Sequence, residues 1–287
     1  MAARADFTRF AAIDWSGAKG DRHRGIAVAT CDVGDAAPVL VPPPRSLWSR
    51  ADVLDWVRAE AASATLIGFD FSFAPPLIER GAYLPGLSRA TAARDFWAWL
   101  DARCTDADLG AAGFLERHRG THFYLGAADG AKAGFLHFRR CEAAFNAAGG
   151  GKPSTVYDAI GAAQVAKASF AGMRLLHRLQ GVVPVWPFDR PRAGAACVVE
   201  IYTTIAARAA GIRKGLSKLR DAQALDAALA AFGTRRHLPL PRYDDHSTDA
   251  ILAAAWLRAN AHRRDLWTPP GLTPQVARSE GWTFGVV

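Results

Sequence analysis

Carboxylate side chains end three separate apolar runs in this sequence. Asp14, Asp70 and Glu200 each stand at the last position of a short run that is typical of a buried strand. In an open α/β sheet the carboxyl ends of parallel strands meet at one edge, where ligands bind. We therefore expect these three acids to lie close together in the folded protein.

A further group of acids opens a predicted helix near residue 245. Asp245 and Asp249 are spaced i,i+4, and His246 and Asp249 are spaced i,i+3, so each pair can share one face of the helix. Asp244 is better placed than Asp245 to cap this helix. Structural roles remain open, because Asp245 can act as a cap and the helix dipole favours an anion at Asp249 whatever the function.

Several carboxylates held within a few ångströms repel one another unless a divalent cation neutralises them. Mg²⁺ and Mn²⁺ prefer such oxygen ligands. Two such ions about 3.5–4 Å apart activate water and stabilise the leaving oxygen in phosphodiester cleavage. The sequence thus predicts a catalytic set made of Asp14, Asp70, Glu200 and Asp249. The predicted metal ligands are the same four residues and Asp245. The alternative is that these acids have independent structural roles, such as an edge-strand position for Glu200.

The elements that must position these residues follow from the apolar patterns. Up to residue 70 the patterns predict a hairpin of strands at 10–14 and 25–30 and a third strand at 39–41 that prolines end. A helix at 51–62 and a buried strand at 65–70 follow. From Pro75 to Pro191 the pattern changes to helices, clearest at 94–100 and 166–179, and glycine-rich loops. A strand at 195–202 and helices at 216–232 and 245–261 follow, the last with Ile251, Leu252, Ala255, Trp256 and Ala259 as its apolar face. This order predicts an α/β core that is interrupted once, in a single domain spanning 1–287.

Several of these motifs, in their order along the chain, resemble a bacterial family of predicted nucleases with an RNase H-like fold. The resemblance rests on Ala12–Gly17, Ile67–Asp70, Val199–Tyr202 and Asp245–Ala250, and it extends to 157–165, 185–189 and 280–285. The pattern His246-x-x-Asp249-Ala250 is also similar to the last acidic motif of Holliday-junction resolvases. Most of the chain is covered by this resemblance.

The resemblance implies an RNase H-like mixed β-sheet flanked by helices, with its core at 1–80 and 191–287 and a mainly helical insertion at 81–190. It implies Asp14 on the first strand as the ion-bridging ligand, Asp70 or Glu200 on neighbouring strands, and Asp249 on the closing helix. Asp70 fits the fourth-strand position of that plan, and Glu200 stands on the fifth strand. The implied activity is metal-dependent hydrolysis of nucleic acid with Mg²⁺ or Mn²⁺.

Further residues are candidates for support of the metal ligands or for substrate binding: Ser16, His246, Arg139, Arg140, Lys152 and Gln164. The basic and aromatic residues at 137–142 suit a phosphate backbone, although Arg140 and Glu142 can instead form an internal ion pair. Lys152 lies in a glycine-rich connector that lacks the pattern of a phosphate loop. Gln164 lies in a stretch of small residues that either lines a pocket or allows close helix packing.

The overall composition limits the classes of partner and compartment. Lys and Arg number 35 against 27 Asp and Glu, a net charge of +8 that suits an anionic partner such as nucleic acid or reflects only an arginine-rich composition. The four cysteines form no C-x-x-C pair, so we expect buried thiols in a reducing compartment rather than a zinc site. No stretch reaches the roughly 18 apolar residues of a membrane span, which predicts a cytoplasmic protein without a membrane partner.

Two other functions compete with a nuclease. A sugar- or acetate-kinase-like ATPase has the same sheet topology and begins with a strand ending in Asp-x-x-Gly, as at Asp14–Gly17. Such kinases need a second glycine-rich phosphate loop, and the stretch at 189–196 has only Gly194. The third function is a nucleic-acid- or nucleotide-binding module without turnover, which the positive charge permits.

Overall fold

The computed structural model describes residues 6–151, 154–160, 165–213 and 218–287. Within these ranges one sheet has the strand order β3-β2-β1-β4-β5, made of β1 (Arg9–Asp14), β2 (Ala27–Asp32), β3 (Val39–Leu40), β4 (Thr65–Phe69) and β5 (Cys197–Glu200). Neighbours β3, β2 and β1 run antiparallel, whereas β1, β4 and β5 run parallel. The carboxyl ends of β1, β4 and β5 therefore lie at the same edge of the sheet.

Apolar side chains point to both faces of the sheet, because helices cover both. Ala11 and Ile13 of β1 pack in one apolar cluster, while Phe10 and Ala12 pack in another on the opposite face. This alternation is the period of two that a strand imposes on its side chains. It decides which helix each side chain of β1 faces.

Ten α-helices and the loops between them account for most of the rest of the described chain. Their bounds are α1 (Arg50–Ala59), α2 (Ala93–Asp101), α3 (Ala112–Arg117), α4 (Arg140–Phe145), α5 (Val165–Leu179), α6 (Thr203–Ala209), α7 (Ala222–Ala230), α8 (Asp245–Asn260), α9 (Arg264–Trp267) and α10 (Pro274–Ser279). Short 3-10 turns occupy Ala127–Asp129 and Lys132–Phe135, and a π turn occupies Asn146–Gly150. A mixed five-stranded sheet flanked by helices confirms the predicted α/β class at this level.

The region between β4 and β5 contains α2 to α5, where the sequence predicts a helical insertion. Side chains of this region, such as Phe96 and Leu175, belong to the same apolar cluster as Ile13 of the sheet. The segment therefore shares a core with the sheet. The boundaries 81–190 stay a prediction.

Local patterns place most elements within a few residues of their observed ends. The hairpin of β1 and β2, the strand β4 and the helices α1, α2 and α5 are confirmed. The predicted helix at 216–232 is shorter in the structure, because the Asp221 side chain accepts a hydrogen bond from the Ala224 N–H at 2.8 Å and α7 begins at Ala222. Residues 214–217 lie outside the described ranges. The short helices α3, α4 and α6 have no clear apolar period and are not predicted.

Helix α8 differs most from its predicted character. The sequence predicts a helix with one apolar face, but every residue from Ala250 to Leu257 is buried. One side of α8 packs on β1 and β2, and other sides contact α6 and α7. A helix that is covered on all sides carries apolar or small residues on every face. In α8 the stretch from Ala250 to Leu257 contains four alanines, which allow such close packing.

The four cysteines are buried free thiols, as the sequence predicts. Burial raises the pKa of the Cys104, Cys141 and Cys197 thiols to about 12, which makes them poor nucleophiles. None of the helices in the described ranges has both the length and the apolar character that crossing a membrane requires.

Candidate active site

The register between β1 and β4 places Asp14 beside Asp70. Ile13 pairs with Phe69, and the Asp70 N–H donates to the Ile13 carbonyl at 3.1 Å, which carries the parallel pairing one residue beyond β4. Asp14 and Asp70 are the next pair in this register. Because side chains alternate along a strand, both point to the face of Ala12, which α8 covers.

Helix α8 brings a third carboxylate, that of Asp249, to the same edge. The helix approaches the sheet closely at Gly68, where a Cβ atom would lie 2.9 Å from a Leu257 methyl group. Asp244 caps the helix by accepting a hydrogen bond from the Ser247 N–H at 2.9 Å, as the sequence predicts. Asp249 therefore lies in the second turn. We call Asp14, Asp70 and Asp249 the acidic trio.

The acidic trio lines a cavity of about 390 Å³ at the carboxyl ends of the parallel strands. Its wall combines polar and aromatic side chains from both halves of the sequence. Among them are Asp14, Ser16, Asp70, Arg139, Glu142, Phe145, Glu200, Tyr202, Asp245, His246, Asp249 and Thr283. The structure thus brings the strand-end acids and the acids of α8 into one pocket.

Asp70 is the member of the acidic trio whose pKa is affected by both of the others. Burial, followed by the negative charges of Asp14 and Asp249, raises the pKa of Asp70 well above its ordinary value. A hydrogen bond from the Thr203 hydroxyl to Asp70 Oδ2, at 3.1 Å, acts in the opposite direction. At neutral pH the pocket therefore disfavours a full set of ionised carboxylates.

The pKa values of Asp249 and Asp14 are also raised, mainly by burial. Burial, with the charge of Asp14, raises the pKa of Asp249 to about 7. Burial also raises the pKa of Asp14, although His246 Nδ1 lies 3.1 Å from Asp14 Oδ2 and its hydrogen bond lowers it. That same hydrogen bond raises the pKa of His246. His246 thus offsets part of the effect of burial at Asp14, and the charges of His246 and Lys218 do so at Asp249.

Glu200 is held in a different way from the acidic trio, and this changes its predicted role. Arg139 donates from both terminal nitrogens to the two Glu200 oxygens, at 2.7 and 2.5 Å. The Thr283 hydroxyl and the Phe73 N–H add hydrogen bonds of 2.5 and 2.8 Å. These four bonds satisfy both oxygens of a residue that is 2% exposed. We therefore assign Glu200 to the framework of the pocket, since its contacts do not favour the predicted role of catalytic metal ligand.

The predicted role of Arg139 as a phosphate contact is likewise not favoured, because Arg139 is 1% exposed. Besides Glu200, its side chain bonds Glu142 at 3.0 Å, and its backbone N–H donates to the same carboxylate. We call Arg139, Glu142 and Glu200 the arginine cluster. The predicted alternative, an ion pair of Arg140 with Glu142, is also corrected: Arg139 makes that pair, and Arg140 is exposed at the start of α4. Two more candidates, Lys152 and Gln164, lie outside the described residues.

Asp245 and Ser16 lie at the pocket wall with partners of their own. Asp245 forms ion pairs with Lys218 at 2.7 Å and with Arg220 at 2.9 Å. Because two cations already compensate Asp245, its contacts do not favour the predicted metal-ligand role. Ser16 Oγ accepts a hydrogen bond from the Ala18 N–H at 3.3 Å, in the loop that follows Asp14.

Several residues that hold the pocket escape prediction from the sequence. Arg50, which is fully buried, donates to the carbonyls of Ser16 and Ala18 at 2.9 and 2.6 Å and so fixes the loop after Asp14. Glu280 accepts from the Ile78 and Arg140 N–H groups and joins the loop after β4 to α4. These residues come from distant parts of the chain. Of them, only Glu280 lies in a motif of the sequence resemblance, at 280–285.

The acidic trio offers the oxygen ligands that a hard divalent cation prefers. A cation would also favour the ionised carboxylates, whose charged forms burial and neighbouring negative charges now disfavour. In the described residues no three His, Cys, Asp or Glu side chains stand so arranged that they could hold one metal ion. The acidic trio thus matches Mg²⁺ or Mn²⁺ in donor type and charge, but its three side chains are not arranged around one ion position in this structure.

No protein-family model matches this chain, and neither a curated protein nor a solved structure matches it. The function must therefore be inferred from the site itself. Its distinguishing feature is the convergence of three carboxylates with raised pKa values at the carboxyl ends of parallel strands.

Proposed function

We propose that this protein is a metal-dependent nuclease that hydrolyses phosphodiester bonds of nucleic acid, built on an RNase H-like sheet. The observation that carries the proposal is the convergence of Asp14, Asp70 and Asp249 in one pocket, with a raised pKa on each. Strongly perturbed carboxylates in a cleft are typical of functional sites. The mixed five-stranded sheet with helices on both faces is compatible with the fold that the sequence resemblance implies.

The acidic trio would hold Mg²⁺ or Mn²⁺. When bound, such ions supply an activated water and neutralise charge on a phosphodiester group. His246 fixes one oxygen of Asp14 through its 3.1 Å hydrogen bond, and Thr203 fixes one oxygen of Asp70. These contacts orient the two carboxylates before any ligand arrives, which lowers the cost of assembling the site.

Positive charge beside the acidic trio suits an anionic substrate. Lys218 and Arg220 are exposed and lie against Asp245 at the pocket wall. A phosphate backbone can compete with Asp245 for these cations, and a net charge of +8 adds attraction at longer range.

The site gives less support to a kinase-like ATPase. In that alternative the loop from Asp14 to Gly17 would cradle a phosphate. Instead, Trp15 donates its indole N–H to the Ala168 carbonyl at 3.0 Å, and a Cβ atom on Gly17 would lie 2.1 Å from the α5 backbone at Lys167. Helix α5 therefore occupies the space beside this glycine.

Cleavage of labelled nucleic acid by matched variants tests the proposal. Single-stranded, duplex, RNA–DNA hybrid and branched substrates are incubated with Mg²⁺ or Mn²⁺ and with wild type, Asp14→Asn or Asp55→Asn. Asp55 is an exposed acid on α1 and serves as the control. We expect Asp14→Asn to abolish cleavage and Asp55→Asn to leave it unchanged.

Binding of the same substrates in Ca²⁺ separates the remaining outcomes. Asp14→Asn should bind nucleic acid as well as wild type or better, because a negative charge near the phosphate is removed. If wild type binds these substrates but cuts none with either metal, the protein is a binding module and the nuclease proposal is wrong. If it neither binds nor cuts them, nucleic acid is not its substrate.

A further inference from the structure

Two aromatic rings form part of the wall of the same pocket. Tyr202 follows β5 by two residues, and Phe145 ends α4. Their ring centroids lie 5.5 Å apart at an interplanar angle of 75°, an edge-to-face contact. Tyr202 is 36% exposed, so part of its ring faces water rather than the core.

A cation stands next to this pair. The Arg208 guanidinium of α6 lies 5.5 Å from the centroid of the Phe145 ring. Arg208 and Tyr202 are joined through α6, which begins at Thr203. Two rings of the pocket wall and a cation beside one of them therefore lie together.

The pair is also tied to the acidic trio. Thr203, the residue after Tyr202, donates its hydroxyl to Asp70 at 3.1 Å. Any group that stacks on Tyr202 is thereby placed beside the carboxylates that would act on a phosphodiester bond. The aromatic pair and the reacting edge are parts of one continuous surface.

We propose that Tyr202 and Phe145, with Arg208, form a stacking platform for one unpaired nucleobase of the substrate strand. This inference rests on the proposed function and specifies its substrate: a strand that is single at the point of binding. A base within a duplex has both faces covered by its neighbours, whereas an unpaired base offers a face to an aromatic ring. Stacking of this kind tolerates every base, because each has a π face.

Binding of a short fluorescein-labelled oligonucleotide, measured by anisotropy in millimolar Ca²⁺, tests the platform. Tyr202→Leu should weaken binding of the single strand about 5- to 100-fold, and Tyr202→Phe should bind like wild type because it keeps the ring. Tyr124→Leu is the matched control. Tyr124 has similar neighbours elsewhere in the described chain, with Phe135 at 5.7 Å and Lys132 at 5.6 Å from its ring, and should leave binding unchanged.

An abasic strand of the same length separates base stacking from phosphate contact. Wild type and Tyr202→Leu should bind the abasic strand equally, because only the base touches the ring. The platform is overturned if Tyr202→Leu weakens binding of both strands alike, if it weakens neither, or if wild type binds no strand. The proposed function is tested by a separate measurement, cleavage. If wild type does not cleave nucleic acid, base-dependent binding can still be measured.

Discussion

Two groups of acids lie in one pocket and differ in their counter-charges. The arginine cluster has a guanidinium between its two carboxylates, whereas the one ion pair of the acidic trio within the described ranges joins His246 to Asp14. The arginine cluster is buried, whereas the members of the acidic trio are half-buried and open to the pocket. Removing the cation of a buried ion pair is costly, and carboxylates with strongly raised pKa values in a cleft are typical of functional sites.

The largest effect should come from breaking the arginine cluster. Arg139→Ala leaves Glu200 and Glu142 buried without their cation, and we expect it to lower the free energy of unfolding by about 3–5 kcal/mol. Urea denaturation followed by circular dichroism measures this loss. Arg140→Ala, at the exposed neighbouring position, should change the value by less than about 0.5 kcal/mol. Equal effects of the two substitutions would contradict the assignment of Arg139 to the framework.

Removing a charge from the acidic trio should raise the free energy of unfolding, whereas breaking the arginine cluster lowers it. The pKa of Asp249 rises from 3.8 to about 7 on folding, so its contribution to stability is fully present below pH 4 and is lost as the pH rises through 7. Without divalent ions, Asp249→Asn should therefore be more stable than wild type at pH 8, by on the order of 1–3 kcal/mol. The difference should vanish at pH 4.

Denaturation at several pH values in EDTA provides the measurement for Asp249→Asn. Asp55→Asn, which replaces an exposed acid of α1, controls for the general loss of one negative charge. A destabilised Asp249→Asn at pH 8 would mean that this carboxylate belongs to a compensated framework, like Glu200.

Divalent cations should distinguish the two groups with a smaller effect. An ion that binds only the folded state at ten times its Kd stabilises it by about 1.4 kcal/mol. We therefore expect millimolar Mg²⁺ or Mn²⁺ to raise the Tm of wild type by about 2–5 °C and to have less effect on Asp14→Asn. Thermal melts with and without EDTA measure this shift. If neither ion changes the Tm of wild type, the acidic trio is not their binding site.

The smallest effect should come from the neutral partner of the acidic trio. Thr203→Val removes the hydroxyl that bonds Asp70 and should cost about 1 kcal/mol of unfolding free energy. Thr204→Val, the next residue on α6, provides the comparison, and chemical denaturation measures both. If the two substitutions cost the same, the bond from Thr203 to Asp70 contributes nothing specific.

Much of the fold follows from local patterns. Short apolar runs, the prolines after β3 and the spacing in α5 and α8 predict where strands and helices lie, because burial imposes periods of two and 3.6. Helix α6 and the full burial of α8 are not predictable in this way. They depend on which surfaces pack against them, and a helix covered on all sides loses the polar face that identifies an amphipathic helix.

The sequence by itself determined that Asp14, Asp70 and Glu200 end apolar runs and that Asp249 lies in the first turns of a helix. Only the tertiary structure decided which of these acids has a counter-charge. Arg139 lies 61 residues from Glu200 along the chain, and Thr283 lies 83 residues beyond it. Electrostatic compensation depends on distances of a few ångströms between such remote side chains, and no local pattern in the sequence encodes those distances.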